Sequence, residues 1–349
     1  MTSNPRWKHR PPGSNWGDFG PDDELGRINL ITPEKVRQGV AEVITGQTFC
    51  LSLPLDYPGG NALNARRHPP KLMPTVREGR VAFNLPKRLF DPRHTEISSD
   101  DAVLLHLQYS TQWDAFAHVG GLFDVDGDGV EEAVYYNGFR AGEDIIGPVD
   151  YRDGQERPGG EHIGAKKLGI ETMAAACVQG RGVMIDCYAH WGRERRLVNY
   201  DDLMYMMEVD KVVVEPGDML CIRTGFDRLL LEMGGNPDRS VTDRSCAVLD
   251  GRDERLLQWI TDSGVSVIIS DNFAVEAFPS RDGCGHQFAQ SPLHEHCLFK
   301  LGVHLGEMFL LSDLADWLRA NQRSRFLLTA PPLRLPGAVG SPTTAVATV

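Results

Sequence analysis

From about residue 165 the sequence settles into an alternation that few folds can accommodate. GIETMAAACVQG has helical spacing, RGVMIDCYA reads as a strand, YDDLMYMMEV as a helix and DMLCIRTGF as a strand. DERLLQWITDSG is again helical, SVIISD a strand, HEHCLFKLG helical, LGEMFLL a strand, LADWLRANQ helical, and RFLLTAPPLRL a closing strand. Short, nearly continuous apolar strands separated by amphipathic helices predict a sheet covered by helices, in the α/β class. The N-terminal half is less regular. Residues 1–30, rich in Pro, Gly, Asn and Trp, read as an extended arm with too few apolar residues for a core of its own. Such an arm is expected to pack across a neighbouring subunit. Thr32-Pro33-Glu34 opens a helix with Val36, Val40 and Val43 as its apolar stripe and Gly46 as its end. Residues 48–55 predict a short strand, 56–98 an irregular candidate lid, and AVLLHLQYS (102–110) another strand. With no internal repeat and no linker, the reading is one domain over 31–335, between the arm and a small-residue tail at 336–349.

Composition narrows the partners. Thirty-six basic against forty-eight acidic residues give a net charge of −12, which excludes nucleic acid or an anionic membrane as the main partner. No run approaches the ~18 apolar residues of a membrane span, and the basic N-terminus has no apolar stretch behind it to make a secretory leader. Seven cysteines without a CxxC pair predict reduced, mostly buried thiols in a cytoplasmic protein. Cys284, in RDGCGHQ beside His286, reads as a loop cysteine rather than a nucleophile.

Two constellations could carry chemistry. In QYSTQWDAFAH, an extended backbone would turn Gln108, Gln112 and Asp114 to one side, an oxygen-rich set suited to a hard or borderline divalent ion. His118 could ligate or act as general base, and His106 reads as a structural histidine. In PLHEHCLFKLGVHLGEMF, His294, His296, His304 and Glu307 could assemble an acid/base pair or a metal site. DVDGDG (124–129) imitates a calcium loop, but Tyr135 stands where the bidentate glutamate belongs, so it reads as an Asp-Gly turn.

Together these segments resemble the cyclase/kynurenine-formamidase superfamily of metal-dependent hydrolases, in particular its longer members with S-T-Q-W-D. The resemblance runs from WGDFGPDDELGRINLITPEKV (16–36) through STQWDAFAH (110–118), YYNG (135–138), RGVMID (181–186), EPGDMLCIRTG (215–225) and SDNFAVEA (270–277) to HEHCLFKLGVHLGE (294–307). It implies a single mixed α/β domain around a curved, barrel-like sheet, assembled as a homodimer or homotetramer. The family's hallmark, H-x-G-T-H-x-D-x-P-x-H, places its metal-binding histidines on Gln108 and Gln112 of this chain, keeps Asp114 and His118, and replaces the proline by Phe116. An amide oxygen is a weaker ligand than imidazole, which leaves open a weaker ion, other ligands or a site that works without metal. The family's downstream motif implies His294, with His296 one register away, and Glu307 as a functional pair.

The activity this implies is hydrolysis of a C–N bond in a small aryl formamide or cyclic amide through a metal-activated water, with one manganese or zinc ion. His118, His294 and Glu307 would be catalytic, and Trp113, Phe116 and the arginines at 66–67 would meet an aromatic acid substrate. The alternative is a cyclase or lyase acting on a polyketide-like or other secondary metabolite without hydrolysis.

Overall fold

The computed structural model describes residues 6–151, 155–283 and 287–349; Cys284 and His286 lie outside them. Nine strands form one sheet: β1 (Thr48–Cys50), β2 (Gln112–Asp114), β3 (Gln179–Asp186), β4 (Met219–Arg223), β5 (Val267–Ser270), β6 (His304–Glu307), β7 (Arg325–Thr329), β8 (Gly340–Pro342) and β9 (Val346–Thr348). Their spatial order is β1-β9-β7-β3-β4-β5-β6-β2-β8. The β3-β4-β5-β6 centre is parallel, and the flanking pairs are antiparallel.

This centre is the part that the alternating pattern predicts. MLCIR and VIIS are buried at every position, because a parallel strand is covered on both faces. The two-residue period divides them between two cores. Val183, Ile185, Leu220, Ile222 and Ile268 join one cluster, under helices α2 (Tyr200–Val209) and α3 (Glu254–Ser263). Met184, Met219, Cys221, Val267 and Ile269 join the other, under α4 (Ser312–Ala320).

The sheet is curled. Strands β1 and β6 are six places apart, so a flat sheet would separate them by roughly 29 Å. Instead Ser52, just beyond β1, bridges to Phe309, just beyond β6, and Leu310 N–H donates to the Leu51 carbonyl at 2.9 Å. The Leu53 N–H also reaches Thr111 Oγ1 at 2.9 Å, immediately before β2. The curl thus brings the start of β2 and the end of β6 together.

Several expectations are corrected. The arm packs on its own chain: Trp16 is fully buried, donates from Nε1 to the Phe299 carbonyl at 2.7 Å, and has Trp7 beside it. The segment 336–349 supplies β8 and β9, where Ala345, Ala347 and Val349 are buried; small residues suffice where the neighbouring strands come close. The first helix, α1 (Pro33–Ala41 in the chain, preceding α2), is capped by the Thr32 side chain as predicted but stops five residues before Gly46. Its buried face is Lys35 and Gly39, and Val40 is exposed. A Cβ at Gly39 would stand 2.7 Å from the Gly180 carbonyl, so the helix lies directly on the β3 backbone, while Lys35 Nζ reaches Asp218 at 3.1 Å. Of 102–110, only 102–104 is strand, the end of Asp101–Leu104, which pairs with Lys71–Pro74 in an exposed ribbon. The described cysteines are all free, and four are buried. Among the described residues no helix is long and apolar enough to cross a membrane.

Candidate metal centre

Strand pairing puts Glu307 directly opposite Gln112, and β2 alternation puts Asp114 on the same face. Gln112 Nε2 donates to Glu307 Oε2 at 2.7 Å. His294 ends the short helix Pro292–His294, ahead of the π-helical turn Glu295–Leu301, and its Nε2 lies 3.2 Å from Glu307 Oε1 and 3.8 Å from Asp114 Oδ2. One ligand atom from each of Asp114, His294 and Glu307 falls within a 4.8 Å circle, and all three residues are buried.

The other ring nitrogen of His294 is locked. Nδ1 lies 2.7 Å from Glu276 Oε1, which also accepts the His294 N–H at 3.0 Å, while Glu276 Oε2 accepts the Leu293 N–H at 3.1 Å. One carboxylate therefore fixes ring and helix start together, and leaves Nε2 turned to Asp114 and Glu307. Burial alone would push His294 down, but the hydrogen bonds and charges of Glu276 and Glu307 hold it up at about 10. Burial, reinforced by the Asp114 charge, raises Glu307 to about 7. Without a cation, a proton on His294 balances this acidic cluster.

Among the described residues, three oxygens in the cluster lack a hydrogen-bond partner although buried: Gln112 Oε1, Asp114 Oδ1 and Asp114 Oδ2. Orphaned acceptors beside two carboxylates and an imidazole need a positive charge. The donor set of carboxylate and amide oxygens with one nitrogen fits a hard or borderline divalent cation, and has no thiolate. Asp114, His294 and Glu307 form a possible metal site, and Gln112 is tied to it through Glu307.

His118 follows β2 after a tight turn, with Nε2 3.9 Å from Asp114 Oδ1 and its side chain 25% exposed. Asp114 pulls its pKa upward, but burial and the charges of His294, Arg67 and Arg66 together take it below the ordinary value. A partly exposed, neutral imidazole at the rim can take up a proton. Among carboxylates it is Asp114, and neither Glu307 nor a group behind His294, that stands within 4.0 Å of it.

A family model described as "Putative cyclase" matches residues 51–277. The chain belongs to this cyclase family. A solved structure described as a novel cyclase is 28% identical with a TM-score of 0.72, over 98% of this chain and 100% of that one. The fold is shared more distantly with isatin hydrolase A from Ralstonia solanacearum (14% identical, TM-score 0.55, covering 90% of this chain and 97% of that one). An isatin hydrolase bound to the product analogue thioisatinate is also 14% identical, with a TM-score of 0.53 over 91% and 99% of the two chains. No curated protein matches.

In this cyclase-family chain the other expected site residues take different places. Gln108 precedes β2 in a turn, so strand parity does not reach it, but its amide lies over Gly340, the residue paired opposite Asp114, and its carbonyl accepts from Arg67 Nη1 at 2.6 Å. Trp113 alternates to the opposite face of β2, is fully buried against Phe309, and donates from Nε1 to the Ala330 carbonyl at 2.8 Å. Phe116 is equally buried, stacked 3.9 Å from the His304 ring. Neither ring offers a face to a substrate. His296 turns away to Thr261, with Nε2 2.9 Å from its hydroxyl, so His294 alone serves the cluster. His304 holds the Asp114 carbonyl from Nδ1 at 2.8 Å, fixing the backbone of the central carboxylate. His106 pairs with His68 at the base of the exposed ribbon. Asp124 of DVDGDG closes its turn by accepting the N–H groups of Gly127, Asp128 and Gly129. Glu276 is the functional residue that sequence reasoning missed. Its only signal was a lone acid in the otherwise uncharged run NFAVEAF.

Proposed function

We propose that this chain is a metal-dependent hydrolase that cleaves a C–N bond in a small aryl formamide or cyclic amide. The observation that carries the reading is the set of orphaned oxygens on Gln112 and Asp114, meeting His294 and Glu307 beside the partly exposed His118. A divalent cation held there, manganese or zinc, would supply positive charge to acidify water and polarise a carbonyl. The remaining work falls to the chain. His118 accepts the proton of the attacking water at Nε2 and returns it to the departing nitrogen, with Asp114 steadying the imidazolium. Glu276 keeps His294 in one tautomer, and His304 keeps Asp114 in place.

That a distant fold relative is an isatin hydrolase supports testing cyclic amides first. Incubation with isatin and with N-aryl formamides, followed by mass spectrometry, should give a product heavier by one water from the lactam, or aryl amine and formate from the formamide. Chelator should abolish either reaction. The cyclase alternative draws support from Gln112, whose amide could hold a substrate oxygen; product of unchanged mass formed in chelator would favour it.

The same reading takes the chain as a homodimer or homotetramer. The ribbon of Lys71–Pro74 and Asp101–Leu104 exposes Leu72, Val103 and Leu104, apolar surface that a second copy would cover. Sedimentation of the chain as a monomer would count against it.

A further inference from the structure

The segment after β1 carries a charge opposite to that of the chain. Between residues 66 and 88 stand seven arginines and lysines and one acid, Glu78, although the net charge of the whole is −12. This stretch runs out in exposed ribbons, Lys71–Pro74 on Asp101–Leu104 and then Val76–Arg77 on Arg80–Val81. At the tip Glu78 and Gly79 both have positive φ, as a two-residue hairpin turn requires. The register sets Arg77 directly opposite Arg80 and Val76 opposite Val81, so two guanidinium groups share one face and two branched apolar side chains the other. All four residues are exposed. Arg77 has Glu78 at 3.7 Å, and among the described residues Lys71, Arg80 and Arg88 have no ion pair.

Like charges opposite each other on a ribbon are unfavourable, and apolar side chains gain by being covered. A surface both acidic and apolar would satisfy the two together, and the chain has one. Residues 124–132 include five acids and no base. Leu122 and Val130 are exposed beside them, and Val130, Glu131 and Glu132 line a cavity of about 280 Å³. Asp126 and Glu132 already hold Arg140, at 3.2 and 3.0 Å. Asp128 and Glu131 are exposed and have no ion pair among the described residues, and no hydrogen bond or ion pair described within one chain joins this turn to the hairpin.

We propose that the Arg77–Arg80 hairpin of one copy docks on the 124–132 turn of a second copy, with the contact repeated reciprocally as a two-fold pair requires. This interface rests on the reading of the chain as a homo-oligomer and assigns the two faces that meet. Sedimentation equilibrium of the full chain at about 0.1 M salt, where charges still act over about 10 Å, should be compared with that of two variants. The ribbon variant carries Arg77→Glu and Arg80→Glu, and the turn variant Asp128→Lys and Glu131→Lys. All four side chains are exposed and outside the metal centre, so both variants should fold. Each alone should associate at least about tenfold more weakly, because like charges then face each other at both contacts. Mixed in equal amounts, the two should associate as tightly as the unaltered chain, since in the mixed pair every ribbon again meets a turn of opposite charge. A mixture that stays dissociated overturns the proposal. An association that neither variant weakens also overturns it, and leaves the homo-oligomer reading intact on another face. An unaltered chain that stays monomeric overturns both, and if that monomer pellets with phosphatidylserine vesicles the ribbon serves a membrane instead. Should the turn variant not fold, Glu131→Lys alone is paired with Arg80→Glu, under the same outcomes. Association is read without turnover, so an inactive chain that passes these tests refutes only the hydrolase reading.

Discussion

Glu276 makes no direct contact with the proposed cation, yet its replacement by Gln should weaken cation binding. Its two oxygens accept from three buried donors: His294 Nδ1, the His294 N–H and the Leu293 N–H. In Glu276→Gln the less costly orientation keeps the amide oxygen on His294 and turns the NH₂ against the Leu293 N–H. One buried donor is then left unsatisfied, costing roughly 1–3 kcal/mol. For a chain of this length that lowers the melting midpoint by about 1–4 °C, so the fold survives. The larger effect is on His294. Losing a carboxylate partner makes its Nε2 a poorer electron donor and loosens the ring, and changes of this type lower metal affinity about 10–100-fold. Titration of manganese into both proteins by calorimetry measures the difference directly. An unchanged affinity in a folded Glu276→Gln variant would refute the assignment of Nε2 as a ligand oriented from behind.

Further outcomes follow from the same geometry. Trp113→Phe should cost about 1–2 kcal/mol through the lost bond to the Ala330 carbonyl, while leaving KM unchanged, since the ring faces the core; melting curves with steady-state kinetics check both. Gly39→Val should destabilise by roughly 1–3 kcal/mol or more, because its side chain would meet the Gly180 backbone at the helix–sheet contact. His296 is held down at about 4 by burial, with Lys300 adding to it. Its folded value lies below its unfolded one, so it contributes nothing unfavourable above about pH 6.5 and removes up to about 3 kcal/mol as pH falls from there to 4. Denaturant titrations of His296→Gln should show that acid-side loss reduced. His118 is also lowered, so the acid limb of the activity profile should fall below the ordinary histidine range and disappear in His118→Asn along with most turnover.

The parallel centre of the fold was legible because fully buried strands need unbroken apolar runs, and β4 and β5 have them. The arm and the tail were not. Trp16 and the small residues of β8 and β9 show no periodic pattern, and their burial depends on surfaces supplied by distant segments. Within the site, Gln112, Asp114, His294 and Glu307 were chosen from sequence and do meet. The errors have definite causes. Strand alternation itself sends Trp113 to the face opposite Gln112 and Asp114, and Phe116 stacks on His304 in the core; Gln108, ahead of the strand, is placed by its turn and not by strand parity. Glu276 acts through a partner 18 residues away, a relation no local spacing reveals.

The central claim is that Asp114, His294 and Glu307 hold a divalent ion. Elemental analysis of protein incubated with manganese or zinc and then freed of excess metal tests it most directly, in parallel with Asp114→Ala. The account predicts a single divalent ion per chain, lost in the variant. A chain that retains no ion under these conditions, or an Asp114→Ala variant that retains as much, would contradict it.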